Sequence, residues 1–349
     1  MLNSRRRVAP SVRVCMQIRR RVRRQRPTPV LLMACLFTAT TSGALAQGVP
    51  APTFPVKPVR MVSGGTPGSA SDVIGRAVAE RLTILLGQPV LVENRPGAGA
   101  SIAAAYVARS EPDGYTINVH SAGVTVNPHL APQSFDVLRD LSGVATVASL
   151  PNVLVVSPGR GWKSVRDLLA EMKAKPGQVT YASAGSGSAT HMNAEKFRVM
   201  AGVEGLHVPF KGSPEAITDV VAGRVDFFFA PLVSVVGMIR EGKALPLAVG
   251  SARRSSMLPE VPTTVEAGVA GSDFNFWVGF LAPSKTPREI VLRLNQESAR
   301  AVQTPEVRER FARLGAEPSL MTPAQMDAML REDFEAYGKL IRAAGIKAD

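Results

Sequence analysis

Short apolar runs alternate with amphipathic stretches of helical period along most of the chain. Val59–Val62 is apolar and is closed by a Gly/Ser/Pro loop, Ser63–Ser71. From Asp72 to Leu86, residues Ile74, Ala77, Val78, Leu82 and Leu85 fall on one helical face, and Gly87 supplies the stop. Pro89–Val92 reads as a strand and Ser101–Arg109 as a helix of small residues. Pro112-Asp113-Gly114 is a turn, and Tyr115–Val119 a strand. The theme returns in the second half. Val153–Val156 is β-like, Ser164–Ala174 is a helix with Ser164 as its cap, and Gln178–Ala182 is a strand. The loop Ser183–Ser188 then leads into a helix ending near Ala201. Leu206–Val208 is a strand, Pro214–Ala222 a helix stopped by Gly223, and Val225–Ala230 and Leu245–Val249 are strands. Trp277–Leu281 is the last strand candidate. Thr322-Pro323-Ala324-Gln325 is a capping box with proline at the first helical position. It opens a helix striped with Met326, Met329, Leu330, Phe334, Tyr337, Leu340 and Ile341. Strands alternating with helices predict α/β architecture, with sheets covered on both faces.

The length of 349 residues suits two domains of roughly 150 residues each. The net charge of +13 suggests a nucleic-acid partner until it is located. Ten arginines precede Pro27 and the first acidic residue is Asp72, so beyond residue 46 the balance is 41 − 10 = 31 basic against 28 acidic side chains, or +3. A nearly neutral body offers no broad footprint for a phosphate backbone, and no nucleic-acid partner is expected. Both cysteines, Cys15 and Cys35, also fall in the first 46 residues. The body is therefore without disulfides, thiolate chemistry or Cys-based zinc sites.

That first segment has the layout of a secretory signal. An arginine-rich stretch ends at Arg26, Val30–Phe37 is apolar, and Ala44-Leu45-Ala46 fits the small-x-small rule for cleavage after Ala46. Met16 is an alternative start. The apolar run is too short to span about 30 Å of hydrocarbon. Leu32-Met33-Ala34-Cys35 resembles a lipobox, the competing reading of the same segment.

Two loops carry the candidate chemistry. Ser63-Gly64-Gly65-Thr66-Pro67-Gly68-Ser69 and Ser183-Ala184-Gly185-Ser186-Gly187-Ser188 each join a strand to a helix N-terminus. Glycine permits close approach of backbone to ligand, the first helical turn presents unpaired N–H groups, and hydroxyls add donors. Together they can hold an anion without a basic side chain. The plainer reading is two ordinary tight connections, since such turns favour glycine and serine in any case. Nucleotide motifs fail: there is no G-x-x-x-x-G-K-[ST], and neither Gly185-Ser186-Gly187 nor Gly97-Ala98-Gly99 completes a dinucleotide fingerprint. No cofactor is implied. No G-x-S-x-G elbow occurs and no histidine spacing suggests a metal. A Ser186 or Ser188 nucleophile with His191 remains as a hydrolase alternative, short of an orienting acid. Asp226, beside Phe227-Phe228-Phe229, is a carboxylate on an apolar strand and needs a partner or a function.

The order of the segments resembles the Bug family, the substrate-binding proteins of tripartite tricarboxylate transporters. The carrying stretches are Pro55–Arg60, Pro67-Gly68 with Asp72 and Arg76, Leu86–Gly99, and Pro112–Thr116. They continue with Tyr181–Ser188 with His191, His207–Ser213, Val261-Pro262-Thr263 with Glu266-Ala267-Gly268, and Trp277 with Ala282-Pro283. The resemblance runs from about Phe54 to Ile346. It implies a two-lobed periplasmic-binding-protein fold of the Venus-flytrap type, with mixed sheets and a ligand cleft between lobes. Residues 47–150 and 273–349 would form one lobe and 151–272 the other, with crossings near Val144–Pro151 and Ser272–Gly279. It further implies no catalysis, capture of a small carboxylate solute and delivery to membrane permease subunits, or presentation of the solute to a membrane receptor. The implied ligand residues are Gly65, Thr66, Pro67, Gly68, Ser69 and Asp72 in the first loop, and Ser121 and Thr125 in the polar run Ser121–Asn127. The second loop adds Ser183, Gly185, Ser186, Gly187 and His191; Asp226 joins them from the residue-level reading above. The family usually reads Pro-Phe-x-Pro-Gly-Gly in the first loop, where this chain has Gly64–Ser69. A more polar loop, with Thr66 and Ser69 near the ligand, is therefore expected.

Overall fold

The computed structural model describes residues 54–347; the arginine-rich segment, Cys15, Cys35 and the proposed cleavage site at Ala46 lie outside the described residues. Two mixed sheets organise the fold. The first is built from β1 (Val59–Ser63), β2 (Val90–Asn94), β3 (Thr116–Ser121), β4 (Leu141–Ser149), and later β10 (Trp277–Pro283) and β11 (Glu317–Pro318), in the order β11-β4-β10-β3-β1-β2. The second runs β7-β6-β8-β5-β9, from β5 (Asn152–Val156), β6 (Thr180–Ser183), β7 (Leu206–Pro209), β8 (Phe227–Pro231) and β9 (Leu245–Val249). β1 pairs parallel with β2 and β3, and β6 parallel with β7 and β8, so each sheet contains a parallel βαβ core. β10 pairs antiparallel with β3 and β4, and β5 antiparallel with β8 and β9.

Helices cover both sheets. In chain order they are α1 (Ala70–Leu86), α2 (Ser101–Ala108), the single turns α3 (Asn127–Leu130) and α4 (Val137–Asp140), α5 (Val165–Ala174), α6 (Ala189–Ala201), α7 (Ser213–Val221), α8 (Leu232–Arg240), α9 (Arg288–Gln303), α10 (Pro305–Leu314) and α11 (Pro323–Ala344). The local signals operate as read. Gly87 closes α1 in the left-handed conformation, Ser164 accepts the Asp167 N–H, and Thr322 and Gln325 complete a reciprocal capping box. α1 begins two residues earlier than its apolar periodicity suggested. The long strand β4 escaped the pattern because its segment, LSGVATVAS, is buried save for the half-buried Ser142 and Ser149, yet rich in small and hydroxylated residues. In β8, period-two alternation sends Phe227 and Phe229 into one apolar layer and Phe228 into the opposite one, so three consecutive phenylalanines seal both faces of the second sheet.

The chain leaves the first sheet after Ser149, enters the second at Asn152, and returns between Gly250 and Trp277. Val144–Ser149 and Trp277–Gly279 are thus strand residues; the first crossing is shorter than expected, and the return segment begins earlier, after Val249. The two passages are tied together where Leu150 N–H donates to the Phe276 carbonyl (3.1 Å), and the return passage is closed on itself where Phe274 N–H donates to the Gly250 carbonyl (2.7 Å).

Candidate functional site

Both parallel cores direct the carboxyl ends of their strands toward the same crevice, the place where open α/β sheets bind ligands. In the first loop, between β1 and α1, the Gly65 N–H donates to Ser63 Oγ (3.3 Å). Gly68 takes a positive φ of 83°, and its N–H donates to Asp72 Oδ2 (2.9 Å). Asp72 is 4% exposed. Its Oδ1 accepts from Arg76 Nε (2.8 Å) and Asn94 Nδ2 (2.9 Å), and the same Asn94 amide donates to the Gly65 carbonyl. Asp72 therefore braces the loop from behind.

The second loop, between β6 and α6, repeats the plan. Gly185 N–H donates to Ser183 Oγ (3.1 Å), Gly187 takes a φ of 76°, and its N–H donates to His191 Nδ1 (3.1 Å). Ser188 caps α6 by accepting the His191 N–H, and Thr190 Oγ1 accepts from Ala184 N–H (2.9 Å). The His191 ring lies parallel to that of His207, 4.0 Å between centroids, and His207 Nε2 is hydrogen-bonded to Ser183 Oγ (2.7 Å). Beneath them Tyr181 donates to the buried Glu195. Burial pushes the Glu195 carboxyl up, but the hydrogen bonds from Arg198 and Tyr181 outweigh it and hold the group below the usual carboxylate range.

The wall of the crevice is drawn from both lobes. Gly65, Ser69 and Ser71 come from the first loop, Gly99 and Ala100 from the turn after β2, His120 and Ser121 from the end of β3, and Ala184, Ser188 and Thr190 from the second loop. Lys211 and Ser213 follow β7, Pro231 ends β8, and Phe276 comes from the return crossing. The first residues of α1, α6 and α7 (Ala70, Ala189 and Ser213) all reach this wall, and α8 starts directly after Pro231. Four positive helix ends thus converge. Lys211 is the one lysine or arginine on the wall, is exposed, and makes no ion pair among the described residues; the wall carries no carboxylate. His120 is neutral at physiological pH: burial pushes its imidazole down to about 4, against the partial compensation of the Ser121 and Ala100 carbonyls. Among the described residues no cluster of three or more His, Cys, Asp or Glu could hold a metal, and no helix is long and apolar enough to cross a membrane.

The sequence-predicted residues divide by this geometry. Gly65, Ser69 and Ser121 line the wall. Thr66 is not itself on the wall but is buried beside it, packed on the wall residue Gly212, where a β-carbon would fall 1.9 Å from its hydroxyl. Pro67 is exposed, and Gly68 meets the second lobe through its carbonyl, which accepts from Ser234 Oγ (3.2 Å). Gly185, Ser186 and Gly187 sit at the seam between lobes: Gly185 packs near Gly99, the Ser186 carbonyl faces Gly99, and Gly187 faces Asn127. Asp72, Ser183 and His191 are buried braces behind the two loops, and Thr125 is fully buried with its hydroxyl donated to the Ala122 carbonyl. Asp226 does not belong to the site. It precedes β8, at the opposite end of the strand from Pro231, where it accepts from Thr180 N–H (2.7 Å) and Oγ1 (2.8 Å) and pairs with Arg160 (2.7 Å). Its partner need is met locally, which explains a carboxylate beside three buried phenylalanines. Sequence reasoning passed over Lys211, although it occupies a strand-to-helix junction like the two loops it selected. It also passed over Ala100 and Phe276, which only tertiary contacts bring to the wall.

Comparison with known proteins places this geometry in context. Residues 74–346 match the family described as "Tripartite tricarboxylate transporter family receptor". Protein BugT of Bordetella pertussis is 35% identical over 323 residues, covering 92% of this chain and 98% of that protein. Among solved structures, Rpa4515 of R. palustris with adipate aligns with a TM-score of 0.81 at 32% identity, over 85% of this chain and all of that one. The periplasmic binding protein BugD aligns at 0.80 and 29%, over 85% of this chain and all of that one. MatC of Rhodopseudomonas palustris with bound malate aligns at 0.78 and 28%, over 82% of this chain and all of that one.

Proposed function

The chain belongs to the tripartite tricarboxylate transporter receptor family and has its two-lobed, periplasmic-binding-protein fold, and from that premise we propose that it captures a small carboxylate solute in the interlobe crevice for uptake by permease subunits of such a transporter. The observation that carries the carboxylate reading is the wall itself. Four helix N-termini and Lys211 face a space bounded by no acidic side chain. One carboxylate is held by the first-turn N–H groups of α1 and α6 and by the hydroxyls of Ser69 and Ser188, and a second carboxylate is drawn to the Lys211 ammonium. Bridging waters complete the coordination, and closure of the lobes sequesters the solute. The adipate and malate held by related structures support this class. In this reading residues 47–150 and 273–349 form one lobe and 151–272 the other, residues 1–46 are an export signal removed after Ala46, and the protein works outside the inner membrane without catalysis.

The test is a thermal-shift screen of the purified protein against di- and tricarboxylates, acidic amino acids and aromatic carboxylates, with phosphate and sulfate as controls. A solute at 100 times its Kd stabilises by about 2.7 kcal/mol, a shift of a few degrees. A shift confined to carboxylates supports the reading. A shift with phosphate, sulfate or neutral solutes alone overturns the ligand class.

A further inference from the structure

The turn Gly97–Ala100 carries four consecutive positive φ angles, 125°, 47°, 59° and 76°. Two of these belong to alanines, and among the described residues Ala98 and Ala100 are the only non-glycine residues with positive φ. A β-carbon is disfavoured there because it crowds the carbonyl that follows, whereas glycine accepts the conformation freely. Such a residue persists where its surroundings hold it, and strain of this kind gathers at ligand-contacting segments.

The surroundings separate the two alanines. Ala98 is exposed and lies off the wall of the crevice. Ala100 is half-buried and lines it. Its methyl rests on the backbone of the first loop: a β-carbon built on Gly64 would fall 2.3 Å from it. Glycine at 64 and a methyl at 100 are therefore two halves of one contact, the first making room for the second. The turn is clamped from the far side, since Asn127 Nδ2 donates to the Gly99 carbonyl (2.9 Å) and Gly99 abuts the Ser186 carbonyl of the second lobe. The backbone there has no freedom to relax toward negative φ without breaking these contacts.

We propose that Ala100 is a specificity-determining residue whose methyl, held in left-handed backbone against Gly64, bounds the crevice beside the N-terminus of α1 and limits the length of the dicarboxylate that fits. This rests on the carboxylate-binding reading above. A missing methyl in a closed pocket commonly changes discrimination by ten-fold or more.

The experiment is isothermal titration of α,ω-dicarboxylates from succinate to suberate into the wild-type protein, Ala100→Gly and Ala98→Gly. Both variants relieve the same backbone strain, so both are expected to fold with Tm equal to or slightly above wild type. Ala100→Gly is expected to move the Kd ratio of longer to shorter diacids by about ten-fold in favour of the longer. Ala98→Gly is expected to leave that ratio unchanged. If Ala100→Gly keeps the wild-type ratio within two-fold, or if both variants shift it equally, the proposal is overturned. If wild-type protein binds no member of the series, the dicarboxylate premise fails, visible in the wild-type titration alone, and the proposal falls with it, while the wider carboxylate reading is decided by the thermal-shift screen.

Discussion

The two loops that face each other across the crevice share a backbone plan and differ in the chemistry that braces it. Each places a serine at the strand end that accepts the N–H of a glycine two residues on. Each then sets a glycine in positive φ just before the helix, and each fixes that glycine's N–H on a side chain four residues later. In the first loop the acceptor is the Asp72 carboxylate, which is also bonded to Arg76 and Asn94. In the second it is Nδ1 of the His191 imidazole, whose ring face stacks on His207. The lesson is that the loop geometry needs an acceptor at that spacing, not a particular residue. The acceptor's own bonds then decide how firmly the loop is held: Asp72 ties in two further side chains, His191 a stacked ring. The Asp72 carboxylate, hidden behind the first loop, adds no negative charge to the crevice wall.

The comparison predicts its own disruption, beginning with the larger brace. Asp72→Ala removes one acceptor from three donors, and should cost about 2–3 kcal/mol of stability and abolish measurable solute binding; chemical denaturation with calorimetric titration checks both. Wild-type affinity in that variant would show that Asp72 does not organise the loop.

The first-lobe wall offers a pH test of nearly the same size. His120 has a folded pKa near 4 against an ordinary value of 6.5, so the unfolded chain binds more protons within that window and stability falls as pH drops through it. Between pH 7 and 4.5 the loss from this group is about 2–3 kcal/mol, and His120→Gln should flatten that part of the profile. Asp333 behaves oppositely. Burial raises its carboxyl to about 6, even though Trp277 Nε1 donates to it (3.1 Å), so the folded chain binds more protons between 3.8 and about 6. Its contribution to stability falls as pH rises through that window. Asp333→Asn should therefore change the profile in the opposite sense to His120→Gln, by up to about 3 kcal/mol at neutral pH. Urea denaturation at several pH values separates the two.

Smaller effects sharpen the comparison of braces. His191→Ala removes a neutral acceptor and a ring contact. It should cost about 1–2 kcal/mol and weaken solute binding by roughly ten-fold without abolishing it, less than Asp72→Ala on both counts. The two N-cap serines give the finest contrast. Ser188 accepts the His191 N–H, whereas Ser69 makes no capping bond. Ser188→Ala should lower stability by about 1 kcal/mol, while Ser69→Ala should leave it within about 0.5 kcal/mol and act on affinity alone. Equal losses of stability from both would break the distinction.

Much of this was legible without coordinates. The alternation of apolar runs with helical stripes gave the α/β class, and the glycine- and serine-rich loops at strand-to-helix junctions are the two that meet across the crevice. Caps at Ser164 and Thr322 and the stop at Gly87 are local, and local signals are readable because a few neighbouring residues carry all of their physics. What could not be read is non-local. The chain alone does not say which end of a strand faces the crevice, so Asp226 and Ser183 looked equally placed, though one lies at the far end of the second sheet and the other under the ligand loop. Nor could it show that β10, at Trp277–Pro283, inserts between β3 and β4 and so brings Phe276 beside Ser121. Lys211 has no motif of its own and becomes a candidate ligand group only because three other helix starts meet it. The sequence by itself determined most strands and helices, several caps and the two glycine- and serine-rich loops, since those follow from periodicity and backbone chemistry within a few residues; β4, α8, α9 and α10 were not read from it. Only the tertiary structure decided which of these ends converge, because strand order, direction and register are set by packing between segments up to about two hundred residues apart.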